Sequence, residues 1–413
     1  MLNHTVSDKL GRLFLILFML DVLFMPYFLP VPVPISGLFI PFWLLNTGVR
    51  VSAKEWVWPL LGCLAVLVSY IAGLYMTIYD QEILLSRFVN AGILIYMFTT
   101  LVVCKRDAQE SFSIIIAVLQ AYLGFSFILA LVFFADPNTY FLIREQWTFS
   151  QNVMQFGSIT VLVRYTGILS DPNNMAASTD AILAMLVFLE PRRLVRNAVL
   201  IGMAAVIVVA TMSVTGLICL LIVTTSLICF SKFGTHDSTL NAAMRIAALG
   251  AIALLASGVY LVIKDHLIFQ LALERVSGSD LDSRLSRWGI IFDFGKVIES
   301  ALIGDGGSIF WQGRDYRPHN GHLHLIFGFG VFAYFVFVRV FFHYNPNLGV
   351  SRAIFLLILF IVFTVNVGVY EHRFSGIWVI LTALYAEASR RHARAFGGKR
   401  RQLRAGSRPV LLT

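Results

Sequence analysis

The sequence predicts an all-α integral membrane protein that crosses the bilayer about 12 times. Hydrophobic residues make up 58% of the chain and charged residues 13%, whereas soluble domains average about 45–50% and about 25%. The apolar residues are grouped in stretches close to the roughly 20 residues that a helix needs to cross a bilayer. Basic residues recur in alternate connections between these stretches, which is the pattern that orients membrane proteins.

The amino-terminal part supplies the first five spans. Residues 1–4 are polar, and no small-residue cleavage site follows the first apolar stretch, so we expect a retained helix rather than a signal peptide. Pro41 falls inside the second stretch, which allows a half-helix or a re-entrant segment there. We place these spans at residues 11–29, 35–49, 57–78, 84–103 and 112–134.

The remaining spans lie between and after two long loops. Only residues 212–216 separate the seventh and eighth stretches, which again allows a re-entrant pair, so the total lies at about 10 to 12. Residues 1–389 thus form a single transmembrane domain, and the basic tail, residues 390–413, is expected to be disordered. We place the later spans at residues 174–190, 197–212, 215–231, 244–263, 321–341, 353–370 and 374–389.

Basic residues predict that both ends of the chain lie in the cytoplasm. Lys and Arg concentrate in the short cytoplasmic connections of membrane proteins. The charges are dispersed and lack interleaved aromatic residues, so they do not indicate nucleic-acid binding; the tail instead suits attraction to anionic inner-leaflet lipids. The expected inner connections carry Lys9, Arg12, Arg50, Lys54, Lys105, Arg106, Arg192, Arg193, Arg196, Lys232, Arg245, Arg339 and Arg352.

Two outer loops, residues 136–173 and 264–319, are too long to be simple turns. Long loops on a rigid scaffold often carry function. In the first loop, residues 158–165 alternate at a period of two and are rich in β-branched residues. Together with residues 151–155 they predict a small β-hairpin.

The second loop predicts an amphipathic helix. Asp282 can cap a helix that runs to about Ile298, and Arg284 and Arg287 share a face because they lie three residues apart. Residues 304–307 then form a glycine-rich segment that we expect to be a flexible break.

Arginines gather on these outer loops. Guanidinium groups bind phosphate oxygens through two parallel hydrogen bonds and stay charged at any relevant pH. A diphosphate at headgroup depth would suit such a group. The alternative is that each arginine pairs with a loop carboxylate or caps a helix. The set comprises Arg164, Arg284, Arg287, Arg314 and Arg317.

His319 stands beside these arginines at the membrane edge. Its imidazole titrates near neutral pH and suits proton transfer, whereas the simpler interpretation is a histidine bound to a headgroup or a carbonyl. His319 and His322 can share a helix face, but no carboxylate or cysteine stands at zinc-ligand spacing nearby, so no metal is expected. Neither disulfides nor a thiolate metal site are expected from the cysteines at the inner ends of the spans, Cys63, Cys104, Cys219 and Cys229.

Two aspartates fall inside apolar spans, where ionisable groups are costly and often functional. Asp180 lies within two turns of the first outer loop and can line a cavity with Asn173 and Asn174. Asp21 can instead neutralise a partner or stay protonated. The Asp-Leu-Asp pattern at residues 280–282 matches a nucleotide-sugar metal motif, but nucleotide sugars are not expected outside the cytoplasm.

Three blocks of residues stand out on the expected outer loops: residues 164–167 with 171–174, residues 284–288 with 303–306, and residues 319–323 with 327–330. Together these blocks resemble the signature of the bacterial O-antigen ligase and polymerase superfamily, and they occur in that family's order. The many-helix topology extends the resemblance over most of the chain. One departure is Val214, where many members carry an arginine after the serine, so no role for an arginine is carried over there.

The resemblance implies a metal-independent membrane glycosyltransferase of the GT-C type. The donor would be a glycan on undecaprenyl diphosphate at the periplasmic face, and attack from the far side of the anomeric carbon would invert its configuration. By this resemblance, Arg164, Arg284 and Arg287 would hold the diphosphate, and His319 would activate the acceptor hydroxyl. The remaining residues of the expected substrate site are Asn173, Asn320, Arg317 and Asp180.

We therefore expect polymerisation of exopolysaccharide or O-antigen repeat units in the bacterial inner membrane, without a cofactor. A ligase of lipopolysaccharide biosynthesis, which moves finished glycan to lipid A core, shares the donor and differs only in the acceptor. A polysaccharide or lipid flippase, or a non-catalytic assembly partner, also fits the number of spans. Transporters, however, tend to show repeated halves and helices broken at mid-membrane. Expected partners are the carrier-linked oligosaccharide and membrane lipids, with a chain-length regulator and a flippase as further candidates.

Overall fold

The computed structural model describes most of the membrane helices. Predicted features outside its described residues are the ninth span at 244–263 apart from residues 246 and 250, the start of the amphipathic helix, and the side chains of Arg284, Arg287, Arg317 and His319. The described residues are 2–26, 35–76, 81–145, 153–156, 160–191, 193–230, 242, 246, 250, 289–311, 314–316, 320–342, 350–365 and 371–406.

The described secondary structure is mainly helical, with two short hairpins. One antiparallel pair joins β1 and β2 in the segment where the alternating pattern predicts a hairpin, and a second joins β3 and β4. The strands are β1 (Val153–Phe156), β2 (Thr160–Val163), β3 (Ile309–Trp311) and β4 (Arg314–Tyr316). The helices are α1 (Leu2–Leu23), α2 (Ser36–Gly48), α3 (Ala53–Met76), α4 (Gln81–Ala135), α5 (Pro137–Arg144), α6 (Pro172–Leu189), α7 (Leu194–Thr211), α8 (Val214–Phe230), α9 (Phe294–Ala301), α10 (Gly321–Phe341), α11 (Val350–Val365) and α12 (His372–Gly406).

The helices have the surface of a membrane protein. Four described segments, within α3, α4, α7 and α10, are long and apolar enough to cross a bilayer. Helix α3 shows why lipid is the expected solvent: its outward stripe is made of exposed aliphatic residues three to four positions apart, a surface that water disfavours. These residues are Val57, Leu60, Leu64, Leu67 and Ile71.

Helix α4 runs through the two spans predicted at 84–103 and 112–134. Its backbone leaves helical geometry at Ser111 (φ −107°, ψ 16°). Phe18 and Phe24, six residues apart on or just after α1, contact Tyr96 and Tyr122, with ring centroids 6.2 and 6.0 Å apart. Because those tyrosines would lie about 39 Å apart in a straight helix, α4 folds back on itself near Ser111.

Helix α12 closes this bend from the other side. Arg390 donates to the carbonyl of Lys105 (2.8 Å) and Arg391 to that of Gln109 (2.9 Å), which satisfies carbonyls at the end of the first half of α4. The helix then continues to Gly406. The tail was expected to be disordered from residue 390, whereas the structure extends the last membrane helix about four turns further.

Two charged residues buried in the apolar region have structural partners. Asp21 accepts hydrogen bonds from the backbone of Ile35 (3.2 Å) and Ser36 (2.8 Å) and so caps the amino end of α2. Arg373 donates to the carbonyls of Asp21 and Met25 at the carboxyl end of α1 (3.2 and 2.6 Å). Asp21 is therefore satisfied by helix capping, a role that the sequence did not indicate.

Helix α10 is not the straight span predicted at 321–341. At Gly330 the backbone takes φ 85° and ψ 161°. A straight helix would separate His322 from Phe342 by about 30 Å, yet their ring centroids are 6.2 Å apart, and His322 Nδ1 lies 3.2 Å from Tyr334 Oη. The helix therefore consists of two halves that fold back on each other at Gly330.

The glycine-rich segment 304–307 packs against this break. The backbone amides of Asp305 and Gly307 donate to the carbonyls of Phe327 (2.9 Å) and Gly328 (2.7 Å). Gly304, Gly306 and Gly307 all have positive φ. A segment expected to be a flexible break is instead buried and fixed by main-chain hydrogen bonds, because only glycine allows the two backbones to approach so closely.

A buried ion pair and a helix cap also hold the 304–307 segment in place. Lys296 Nζ lies 2.7 Å from Asp305 Oδ2, and both side chains are at most 10% exposed. Asp293 accepts from Trp311 (2.8 Å) and from the backbone of Lys296 (3.1 Å), and these bonds lower the pKa of Asp293. Asp293 thus caps α9 after a short 3₁₀ turn, Gly289–Phe292. The sequence predicts one continuous helix that ends near Ile298. Within the described residues this prediction is wrong, because Asp293 caps a new helix.

The close approach at Gly330 predicts a large cost for any side chain there. A Cβ at this position would lie 2.5 Å from the carbonyl oxygen of Leu302, and φ 85° is unfavourable for alanine. Gly330→Ala is therefore expected to lower the free energy of unfolding by about 1–3 kcal/mol. Thermal unfolding of the detergent-solubilised protein measures this. Gly202→Ala in α7, where a Cβ meets nothing within 4 Å, is the matched control, and equal stability of the two variants would contradict the prediction.

Candidate functional site

The amino end of α6 is built by a short sequence with clear local reasons. Asp171 caps the helix by accepting hydrogen bonds from the backbone of Asn173 (2.7 Å) and Asn174 (3.3 Å). Pro172 occupies the first helical position, where its missing N–H costs nothing. The cap fixes two adjacent asparagine side chains on the first turn of the helix.

The segment before this helix is anchored to α4, α5 and α7. Tyr165 Oη donates to the carbonyl of Ser126 (2.6 Å), and Tyr140 Oη donates to that of Gly167 (3.2 Å). Gly167 has φ 58°, and a Cβ there would lie 2.6 Å from the sulfur of Met175. The block 164–167 noted in the sequence therefore has a packing role in three of its four residues.

Arg164 connects this segment to the turn between α7 and α8. Its Nε donates to the carbonyl of Thr211 (2.8 Å), and its Nη2 lies 3.3 Å from that of Met212 and 3.4 Å from Asn173 Oδ1. Met212 is in the left-handed conformation (φ 51°). The buried guanidinium thus caps the carboxyl end of α7 and lies against the first turn of α6.

Glu371, just before α12, binds the other side of the same turn. Its Oε1 accepts from the backbone of Ser170 (2.7 Å) and its Oε2 from Asn174 Nδ2 (2.5 Å). Removal from water raises the pKa of Glu371, and these hydrogen bonds offset part of that shift. The carboxylate of Glu371 therefore contacts the first turn of α6 at Asn174. The neighbouring residue, Asn173, is the one that Arg164 contacts.

A second guanidinium belongs to this group. Arg144, the last residue of α5, is buried and lies close enough to Glu371 for mutual charge attraction. We call Arg144, Arg164, Asn173, Asn174 and Glu371 the α6 cluster. It combines two buried cations, two amides and one carboxylate near one end of α6.

A small cavity of about 10 Å³ lies one to two turns along α6 from this cluster. It is lined by Asn173, Ala177 and Asp180 of α6, by Ser213, Thr215 and Gly216 at the start of α8, and by Val362 of α11. Asp180 is fully buried, and among the residues that the structure describes no hydrogen-bond donor reaches either of its carboxylate oxygens. The space is close to the size of one water molecule.

The predicted site residues divide into three groups. Arg164 and Asn173 are in contact, and Asp180 shares a cavity with Asn173. Asn320 caps α10, with its side-chain oxygen accepting from the backbone of Leu323 (3.0 Å). The other predicted residues, Arg284, Arg287, Arg317 and His319, lie outside the described residues.

Two members of the α6 cluster were not predicted from the sequence. Glu371 belongs to a charged triplet, Glu371-His372-Arg373, between two apolar spans, and that placement is a usable signal. Arg144 is the last residue of a short amphipathic helix, and nothing in its local sequence marks it as buried.

Metal ligands are not clustered in the described residues. Within them, no group of three or more His, Cys, Asp or Glu side chains is positioned to hold a metal ion. His322 is bound by Tyr334 Oη and lies 3.4 Å from the carbonyl of Phe360. Its ring also packs against those of Phe360 and Phe363. His322 therefore occupies a position in the core.

No protein-family model and no curated protein matches this chain.

Proposed function

We propose that this membrane protein is a glycosyltransferase that polymerises lipid-diphosphate-linked polysaccharide repeat units at the periplasmic face of the bacterial inner membrane. The observation that supports this most directly is the α6 cluster. It holds two buried guanidinium groups beside the amino end of a helix, and such an arrangement suits the negative charge of a leaving diphosphate.

The reaction needs three functions from the protein. The lipid diphosphate that leaves the anomeric carbon must have its charge stabilised, the acceptor hydroxyl must lose a proton, and water must be kept away. Arg164 and Arg144 supply charge stabilisation, the resemblance adds Arg284 and Arg287, and Arg317 is a further member of the outer-loop arginines. His319, which directly precedes the α10 cap residue Asn320, takes the acceptor proton, and no metal or nucleotide is involved.

Glu371 offers a second candidate for the base. Its carboxylate is fixed by Ser170 and Asn174 at 2.7 and 2.5 Å, and its raised pKa makes it a stronger proton acceptor than an ordinary glutamate. The acceptor sugar would then lie between Glu371 and the diphosphate bound by the two arginines.

A transporter is the second candidate function, and two observations favour it. Helix α10 is broken at Gly330, and Asp180 is buried in α6 without a described hydrogen-bond partner. Both are features of membrane transporters. Against this, the 304–307 segment packs against the break at Gly330 and is hydrogen-bonded to the carbonyls of Phe327 and Gly328.

Purified protein in detergent decides between these functions. We expect it to extend a lipid-diphosphate oligosaccharide into a ladder of longer glycans with neither nucleotide sugar nor divalent metal added. Transfer of the oligosaccharide to lipid A core without extension, seen only when that acceptor is supplied, would indicate the ligase. No glycan transfer under any of these conditions, together with movement of the labelled lipid across vesicles that contain the protein, would refute the transferase and support the transporter.

A further inference from the structure

A second, larger cavity lies far from the α6 cluster. It has a volume of about 420 Å³ and opens between α3, α4, α10 and α12. Arg390, which lines it, follows Glu371 of the α6 cluster by about 28 Å along α12. The cavity thus lies at the opposite end of the bundle, among the connections that carry most of the basic residues.

Positive charge predominates in this cavity. Its lining includes Lys54, Lys105, Arg339 and Arg390, with Glu55 as the lining carboxylate. Arg390 and Arg339 lie near enough to Lys105 to repel its charge, whereas Glu55 attracts it. Cations held close together at the mouth of a cavity favour an anion between them.

Glu387, a further carboxylate in contact with a cavity residue, does not cancel this excess of positive charge. Glu387 is buried and is shared by two arginines, at 3.4 Å from Arg390 Nε and 2.8 Å from Arg391 Nε. Arg339 lies over the ring of Trp58, 5.7 Å from its centroid. The guanidinium is therefore oriented by an aromatic face and remains next to Lys105.

Much of the remaining lining is apolar or aromatic. It includes Pro59, Leu101, Val102, Val340 and Phe341. The hydroxyls of Thr382 and Ser389 donate to carbonyls of their own helix, at 2.8 and 2.7 Å, so they are not arranged to bind a polar sugar or base. A ligand that fits must be anionic at one end and apolar at the other.

We propose that this cavity is a binding site for an anionic phospholipid of the adjacent leaflet, with its phosphate between Lys105, Arg339 and Lys54 and its acyl chains against the apolar wall. Basic pockets between membrane helices are suited to such headgroups, and the volume lies in the range of ligand sites. A soluble phosphate compound would gain nothing from the apolar wall, which is why a lipid is the favoured occupant. The site is independent of glycosyl transfer.

Native mass spectrometry of the detergent-solubilised protein tests this. Titration with phosphatidylglycerol should give a saturable single-lipid adduct, and phosphatidylcholine should bind at least about tenfold more weakly. The double variant Lys105→Gln/Arg339→Gln should lose about tenfold in phosphatidylglycerol affinity. Arg193→Gln removes the same kind of charge at the same end of the bundle, where Arg193 is 66% exposed beside Glu190, and should bind like the unchanged protein.

Quenching of Trp58 provides a measurement that does not depend on those variants folding. Brominated phosphatidylglycerol should quench more fluorescence in the unchanged protein than in Trp58→Phe, and brominated phosphatidylcholine should show no such difference. Equal binding of the two lipids, an unaffected double variant, or displacement of the lipid by millimolar glycerol phosphate would each overturn the proposal.

Discussion

His319→Ala is expected to abolish polymer formation while the amount of membrane-inserted protein stays unchanged. A positioned general base contributes about 10²–10⁴-fold to such a reaction. The loss should therefore appear in the rate of transfer and not in the binding of the lipid-linked donor. Single-turnover extension of a lipid-diphosphate oligosaccharide measures that rate, and the polysaccharide profile of cells that carry the variant gives an independent readout.

Two further variants make this result specific. His4→Ala removes an imidazole near the amino terminus, far in sequence from the proposed site, and should leave transfer unchanged. Glu371→Gln removes the alternative base and replaces a carboxylate that accepts from Ser170 and Asn174. Full-length polymer from His319→Ala together with its loss in Glu371→Gln would assign the base to Glu371 and remove His319 from the mechanism.

Much of the helical arrangement could be predicted from apolar stretches, and the bends could not. Hydropathy places α2, α7 and α8 within a few residues of their observed ends, because lipid exposure requires long apolar segments. The fold at Gly330 depends on contacts with residues 304–307, which are distant in sequence. A single glycine inside an apolar stretch is too common to indicate such a reversal.

The part of the α6 cluster that could be predicted consists of residues that lie close together along the chain. Arg164 and Asn173 are nine residues apart across one loop, and they are in contact. Arg144 joins them only through the packing of α5. Glu371 joins them only through the packing of α12, about 200 residues further along the chain. The sequence also could not indicate that the Arg164 guanidinium donates hydrogen bonds to main-chain carbonyls. Helix caps of this type depend on where the end of another helix lies.

Arg164→Lys is expected to reduce transfer about 100-fold and to lower stability as well. The guanidinium donates to Thr211 and lies within hydrogen-bond distance of Met212 and Asn173. A lysine keeps the charge, but its single nitrogen cannot reach all three acceptors and a phosphate. The loss of charged hydrogen bonds to buried carbonyls should cost about 1.5–3 kcal/mol each, which thermal unfolding in detergent measures.

The loss of stability and the loss of transfer can be separated, because helix capping and phosphate binding are detected by different measurements. If Arg164 only caps α7, the melting temperature falls and the donor KM of the surviving folded protein is unchanged. If it also binds diphosphate, the donor KM rises even at temperatures where the variant is fully folded. Arg193→Lys, at an exposed position beside Glu190, should change neither quantity. A variant with unaltered stability and unaltered KM would show that the hydrogen-bond fork of Arg164 is dispensable, and the diphosphate would then have to be held by the other arginines.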